Sequence, residues 1–160
     1  IISDNFSRGY AFEFLRLGRF VERADMITRI IDSICTTEKK EGTIDLSTLE
    51  WVNLLKTLSA HQAYRKVSRG EIEKDSVINF LFKDDSFPRS IYRCLTIIHK
   101  SFLNLPKNND AILFIQKFLA NLNSSRIGKY DNNKIRSFVD STQKKISSID
   151  QIIQKSYFNN

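Results

Sequence analysis

Apolar side chains recur at steps of three and four residues through "LGRFVERADMITRIIDSI", and no other feature constrains the fold of this chain so tightly. Leu17, Phe20, Val21, Ala24, Ile27, Thr28, Ile31 and Ile34 fall on one stripe when successive residues turn by about 100 degrees, so the spacing predicts a helix over 9–36. The same period predicts a second helix from about 48 to 67 through Trp51, Leu54, Leu55 and Leu58, and a short third one in "EKDSVINFLF". A fourth follows through Ile91, Leu95, Ile98 and Phe102, and a fifth covers "DAILFIQKFLANLNSSRI" and ends near Gly128. The sixth runs through Ile135, Phe138, Ile146, Ile149 and Ile153 to about Phe158. Strand-like alternation is absent, so the expected class is all-α: one antiparallel bundle over 1–160, of about five long helices and one short. Helices one, two, four and six should enclose the core, with the first central.

Local punctuation agrees with that division. Ser47 with Glu50 three residues on reads as a capping box, and Gly70 as the stop of the second helix. Pro88 suits the first position of the fourth helix, where its missing N–H costs nothing, and Asp131 suits the cap of the sixth. With only five Gly and two Pro, the chain has little room for long irregular segments.

The totals bound the function classes. A chain of 160 residues, 41% hydrophobic and 27% charged, suffices for one folded domain. No stretch approaches the roughly 18 apolar residues of a membrane span, and "IISDNFSRGY" lacks the order of a signal peptide, so a cytoplasmic location is expected, with no membrane partner. The formal charge of +7 is spread along the chain with acids between the bases, which argues against a nucleic-acid face. Cys35 and Cys94 lie on apolar stripes and read as small buried hydrophobes. There is no His-Glu-x-x-His, paired Cys-x-x-Cys or phosphate-cradling glycine loop, so no metal and no cofactor is expected. The single methionine is Met26, and the expectation is a piece of a longer protein.

Charge crowds the first helix, where Arg16, Arg19, Glu22, Arg23 and Asp25 accompany the apolar stripe. By helical projection Arg16 and Arg23 sit at its edge beside Phe20 and Ile27, while Glu22 and Arg29 lie well round from it. An exposed Glu–Arg pair is worth only about 0.3 to 0.5 kcal/mol. A partly buried one needs partners for its donors and oxygens. Tyr64 and Arg65 on the second helix and Arg89 on the fourth are the candidates, giving an expected inter-helix polar network that either fixes helix register or binds an anion. "FPRS" is a second candidate: a helix start with Arg89 and Ser90 as a phosphate or carboxylate seat. The candidate anion pocket is therefore Arg19, Glu22, Arg23, Tyr64, Arg65, Arg89 and Ser90. Glu13 projects toward the apolar stripe and is the best acid–base candidate. His61 faces inward or to the rim and reads as a core histidine, and Cys94 and His99 point too far apart for a nucleophile pair. No residue set specifies a reaction.

The segments "GYAFEFLRLGRFVERADMITRIID", "AYRKVSRGEIEKDSVINFLFKDDSFPRSIYRCL" and "IDQIIQKSYF" resemble the second half of the bacterial alpha-E domain family. The family's Gly-Arg-x-x-Glu-Arg-Ala pattern falls on Gly18, Arg19, Glu22, Arg23 and Ala24, its Ala-Tyr-Arg element on Ala63, Tyr64 and Arg65, and its Pro-Arg-Ser element on Pro88, Arg89 and Ser90. The resemblance implies an all-helical fold and a longer parent protein of which this is the C-terminal half. It also implies company with ATP-grasp and transglutaminase-like proteins, hence an accessory role in forming or modifying peptide bonds. The partner it implies is one of those proteins, with a peptide or anionic small molecule as a further ligand. A half-domain could also pair with a second copy of itself. A purely structural interaction module and a basic nucleic-acid-binding domain are the alternatives from other classes.

Overall fold

The computed structural model describes residues 8–37 and 48–158, and every described element is helical. Helix α1 (Arg8–Thr37) has 30 residues, about 45 Å at the helical rise, and buries Leu17, Ala24, Ile27, Thr28 and Ile31. It packs along α5 (Ile91–Leu103) and α7 (Asn132–Ile153). Both partners answer with stripes of their own: Ile91, Cys94, Leu95, Ile98 and Phe102 on α5, and Ile135, Val139, Thr142, Ile146 and Ile149 on α7. The first helix is thus central, as its periodicity predicts. Helix α6 (Asn109–Ser124) closes the bundle against α5 and α7, and α4 (Lys74–Lys83) lies against α5 with α2 (Thr48–Thr57) beside it.

The expected second helix is two. After α2 the chain turns at Ser59 and restarts as α3 (His61–Val67). Ser59 has φ 52°, a left-handed conformation that costs an L-residue about 1 to 2 kcal/mol. Two backbone bonds compensate: Ala60 N donates to Leu55 O at 2.7 Å and Ser59 N to Lys56 O at 2.9 Å. This is the Schellman ending, in a place where serine stands instead of glycine.

Three other boundaries differ from the sequence expectation. Helix α5 begins at Ile91, so Pro88 is not its first residue; Ser90 is the cap, and its hydroxyl accepts from Arg93 N at 3.0 Å. Helix α6 stops at Ser124, and Gly128 sits in a separate 3-10 turn, Ile127–Lys129, pressed against α4. Helix α7 widens after Ile153 into a π-helical turn, Gln154–Phe158, which sets Tyr157 and Phe158 edge-on to Phe14 of α1 at ring separations of 5.0 and 5.5 Å. Asp131 caps α7 as expected, accepting from Lys134 N at 2.8 Å. The capping box on Ser47 and the side chain of Cys35 lie outside the described residues.

Candidate functional site

The turn 84–90 between α4 and α5 is where the sequence-derived candidates begin to meet. Asp84 organises it: one carboxylate oxygen accepts from the Ser86 hydroxyl at 2.6 Å and from Phe87 N at 2.7 Å. Ser90, fully buried, donates its hydroxyl to Asp84 O while capping α5. Phe87 is buried and stacks on Phe80 of α4 at 4.9 Å. Ring and hydroxyl together pin both ends of the turn.

Two arginines reach across it. Arg89 Nη1 donates to Leu58 O at 2.7 Å. Leu58 is the last residue before the left-handed Ser59, so its carbonyl has no helical partner; Arg89 supplies the donor and places a cation at the negative end of α2. Arg23, half-buried on α1 and 4.8 Å above the Phe20 ring, points Nη1 at Pro88 O across a long 3.5 Å. The turn is therefore held between α1 on one side and the end of α2 on the other.

The remaining candidates go elsewhere. Arg65 is exposed on α3 and donates to Gly70 O at 3.0 Å in the loop that follows. Arg19 and Glu22 are exposed on α1, and among the described residues Glu22 makes no ion pair. Glu22 instead borders a groove of about 430 Å³ between α1 and α7, with Gly18, Asp25, Asp150 and Gln151. Tyr64 is buried edge-on against Phe80 at 5.3 Å, and its hydroxyl has no hydrogen-bond partner among the described residues. Its ring borders a groove of about 420 Å³ with Ser68, Asn79, Lys83 and Asp84. The structure thus brings Arg23, Arg89 and Ser90 to one turn and leaves Arg19, Glu22, Tyr64 and Arg65 outside that set of bonds.

Glu13 is buried, with 7% of its surface exposed, and Oε1 accepts from Asn104 Nδ2 at 2.9 Å while Oε2 lies 3.6 Å from Arg16 Nη1. It ties the start of α1 to the end of α5. Asn104 carries no periodic signal and stands 91 residues from Glu13, so only folding reveals the pair. Lys83 is a second tie that the sequence does not announce: its amine donates to Asn123 O at 2.9 Å and Ser125 O at 2.6 Å, fastening α4 to the end of α6. Burial pushes the Cys94 thiol up to about 12, against a smaller opposing pull from Arg23, so it stays protonated at neutral pH. His61 is half-buried at the start of α3, and His99 keeps Nε2 buried without a partner among the described residues. Among the described residues no group of three His, Cys, Asp or Glu is placed to hold a metal ion, and no helix is long and apolar enough to cross a membrane.

The model of the Alpha-E family, described as a predicted alpha-helical domain with a conserved ER motif, matches residues 1–158. The chain belongs to the Alpha-E family. Its all-helical structure agrees with that description. This Alpha-E chain matches no curated protein and no solved structure. Its sequence contains one Glu-Arg dipeptide, Glu22–Arg23, at the middle of α1.

Proposed function

We propose that this Alpha-E chain is a helical accessory component of an ATP-grasp-associated system that forms or modifies peptide bonds, and that it acts by docking a protein partner. The system comes from the family resemblance. What favours docking over an anion pocket is one observation: the Arg89 guanidinium is already engaged, 2.7 Å from a main-chain carbonyl that has no other partner in its helix. An arginine employed as a helix-end donor supports a structural role over an anion pocket, and Arg23 leans on the same turn. If Glu22–Arg23 is the family's ER motif, its two halves divide the work: Arg23 is turned toward the core and Glu22 outward.

A thermal-shift screen tests this reading. Phosphate, nucleotides and short acidic peptides should leave the unfolding midpoint unmoved. Arg89→Ala should lower it by roughly 3 to 6 °C, from about 1 to 2 kcal/mol of lost hydrogen bond. Arg23→Ala should cost less, because its contact is long. An anion that raises the midpoint of the native protein and fails to do so in both variants would instead establish the pocket. Co-expression with an ATP-grasp protein should give a stoichiometric complex, and two separate species would sink the assignment to that system.

A further inference from the structure

The outer face of α1 carries a pattern that packing among the described residues does not use. Phe12, Leu15, Arg19, Glu22, Met26 and Arg29 are all exposed, and they follow one another at alternating steps of three and four residues. That spacing lines a single seam of the kind by which one helix faces another. A face turned to water would ordinarily be polar throughout. Here Phe12 is 61% exposed, Leu15 75% and Met26 47%. Phe12, Leu15, Arg19 and Met26 lie on the side of α1 away from the stripe it presents to α5 and α7, while Glu22 and Arg29 border the groove between α1 and α7.

The seam is also symmetric in its chemistry. About the midpoint between Phe20 and Val21 its members form three equidistant pairs: Arg19 with Glu22, Leu15 with Met26, Phe12 with Arg29. We infer that the occupant of this face is the same face of a second copy, running antiparallel about a two-fold axis through that midpoint. The inference rests on the protein-docking reading above and adds a second copy of the chain to the partner named there. A two-fold axis applies every contact twice. Arg19 then opposes the partner's Glu22 and Glu22 the partner's Arg19, so two ion pairs form at the centre. Leu15 meets the partner's Met26 on either side. At each end Phe12 meets the partner's Arg29, whose guanidinium Asp25 holds at 2.6 Å, a pairing suited to cation–π stacking.

Other occupants fit less well. Parallel copies in register would set Arg19 against the partner's Arg19 and Glu22 against the partner's Glu22, which is repulsive. An apolar helix of another protein would cover Phe12, Leu15 and Met26 but leave both central charges without partners. A single seam from Phe12 to Arg29 spans about 26 Å of helix, small for a permanent interface, so the dimer should depend on concentration.

Charge reversal tests the register. Sedimentation equilibrium of the full chain from low to high micromolar concentration should show a monomer–dimer equilibrium. Arg19→Glu and Glu22→Arg should each weaken the dimer about tenfold or more, since each converts two attractions into two repulsions. The two substitutions in one chain should restore it, and equal amounts of the two single variants should pair with each other. Circular dichroism confirms that each variant remains folded. A native protein that stays monomeric throughout, or a dimer indifferent to both single reversals, overturns the inference. If that monomer still forms the complex with an ATP-grasp protein, only the self-pairing falls and the docking reading stands.

Discussion

Ser90→Ala is expected to destabilise the protein by about 2 to 4 kcal/mol, a fall of roughly 5 to 15 °C in the unfolding midpoint. The hydroxyl performs two tasks from a fully buried position: it accepts from Arg93 N at 3.0 Å as the cap of α5, and it donates to Asp84 O. Loss of a cap costs about 1 kcal/mol. Leaving the half-buried Asp84 carbonyl without this donor costs about 1 to 3 kcal/mol more. Ser86→Ala is the matched control, because its exposed hydroxyl bonds a carboxylate oxygen that keeps Phe87 N as a second donor. Urea titration of both variants should separate them clearly. Equal midpoints would mean that the capping and turn bonds around Ser90 carry no weight.

Gly128→Ala is expected to cost about 1 to 3 kcal/mol, for a reason of space rather than conformation. A Cβ at that position would stand 2.7 Å from Asp75 O and 3.4 Å from Asp75 C. Both are main-chain atoms of α4 and have no rotamer by which to yield. Either the helix or the 3-10 turn must move, loosening the Lys129–Asp75 pair at 2.9 Å and the hold of Lys83 on Asn123 and Ser125. Gly18→Ala is the opposite case: it lies within α1 with nothing within 4 Å, so alanine should raise stability by about 0.5 to 1 kcal/mol. Thermal unfolding of the two variants should shift in opposite directions, and a shift of Gly128→Ala to higher temperature would show the contact to be slack.

Helix periodicity made most of the fold legible, because long amphipathic helices write their buried face every three or four residues. The stripes of α1, α5 and α7 could be read directly. Boundaries set by main-chain geometry could not. Ser59 ends α2 in a left-handed conformation usually left to glycine, so one continuous second helix was the natural expectation. Pro88 drew the start of α5 toward itself, yet the residue that satisfies a free N–H is Ser90. The candidate site divides along the same line. Projection correctly put Arg23 at the edge of the core and Glu22 well round from it, but the expected network joined side chains to side chains. Arg23 and Arg89 take backbone carbonyls instead, and such acceptors have no signature in a sequence.

Amide hydrogen exchange reports on that arrangement most directly. In Arg89→Ala, the amides at both ends of the tie, Ser59 and Ala60 after α2 and Phe87 and Ser90 before α5, should exchange about tenfold faster or more than in the native protein. Added phosphate should leave them unchanged in the native chain. Unaltered rates in Arg89→Ala, or phosphate that slows these amides in the native protein, would contradict a structural tie and return the arginines to the role of an anion seat.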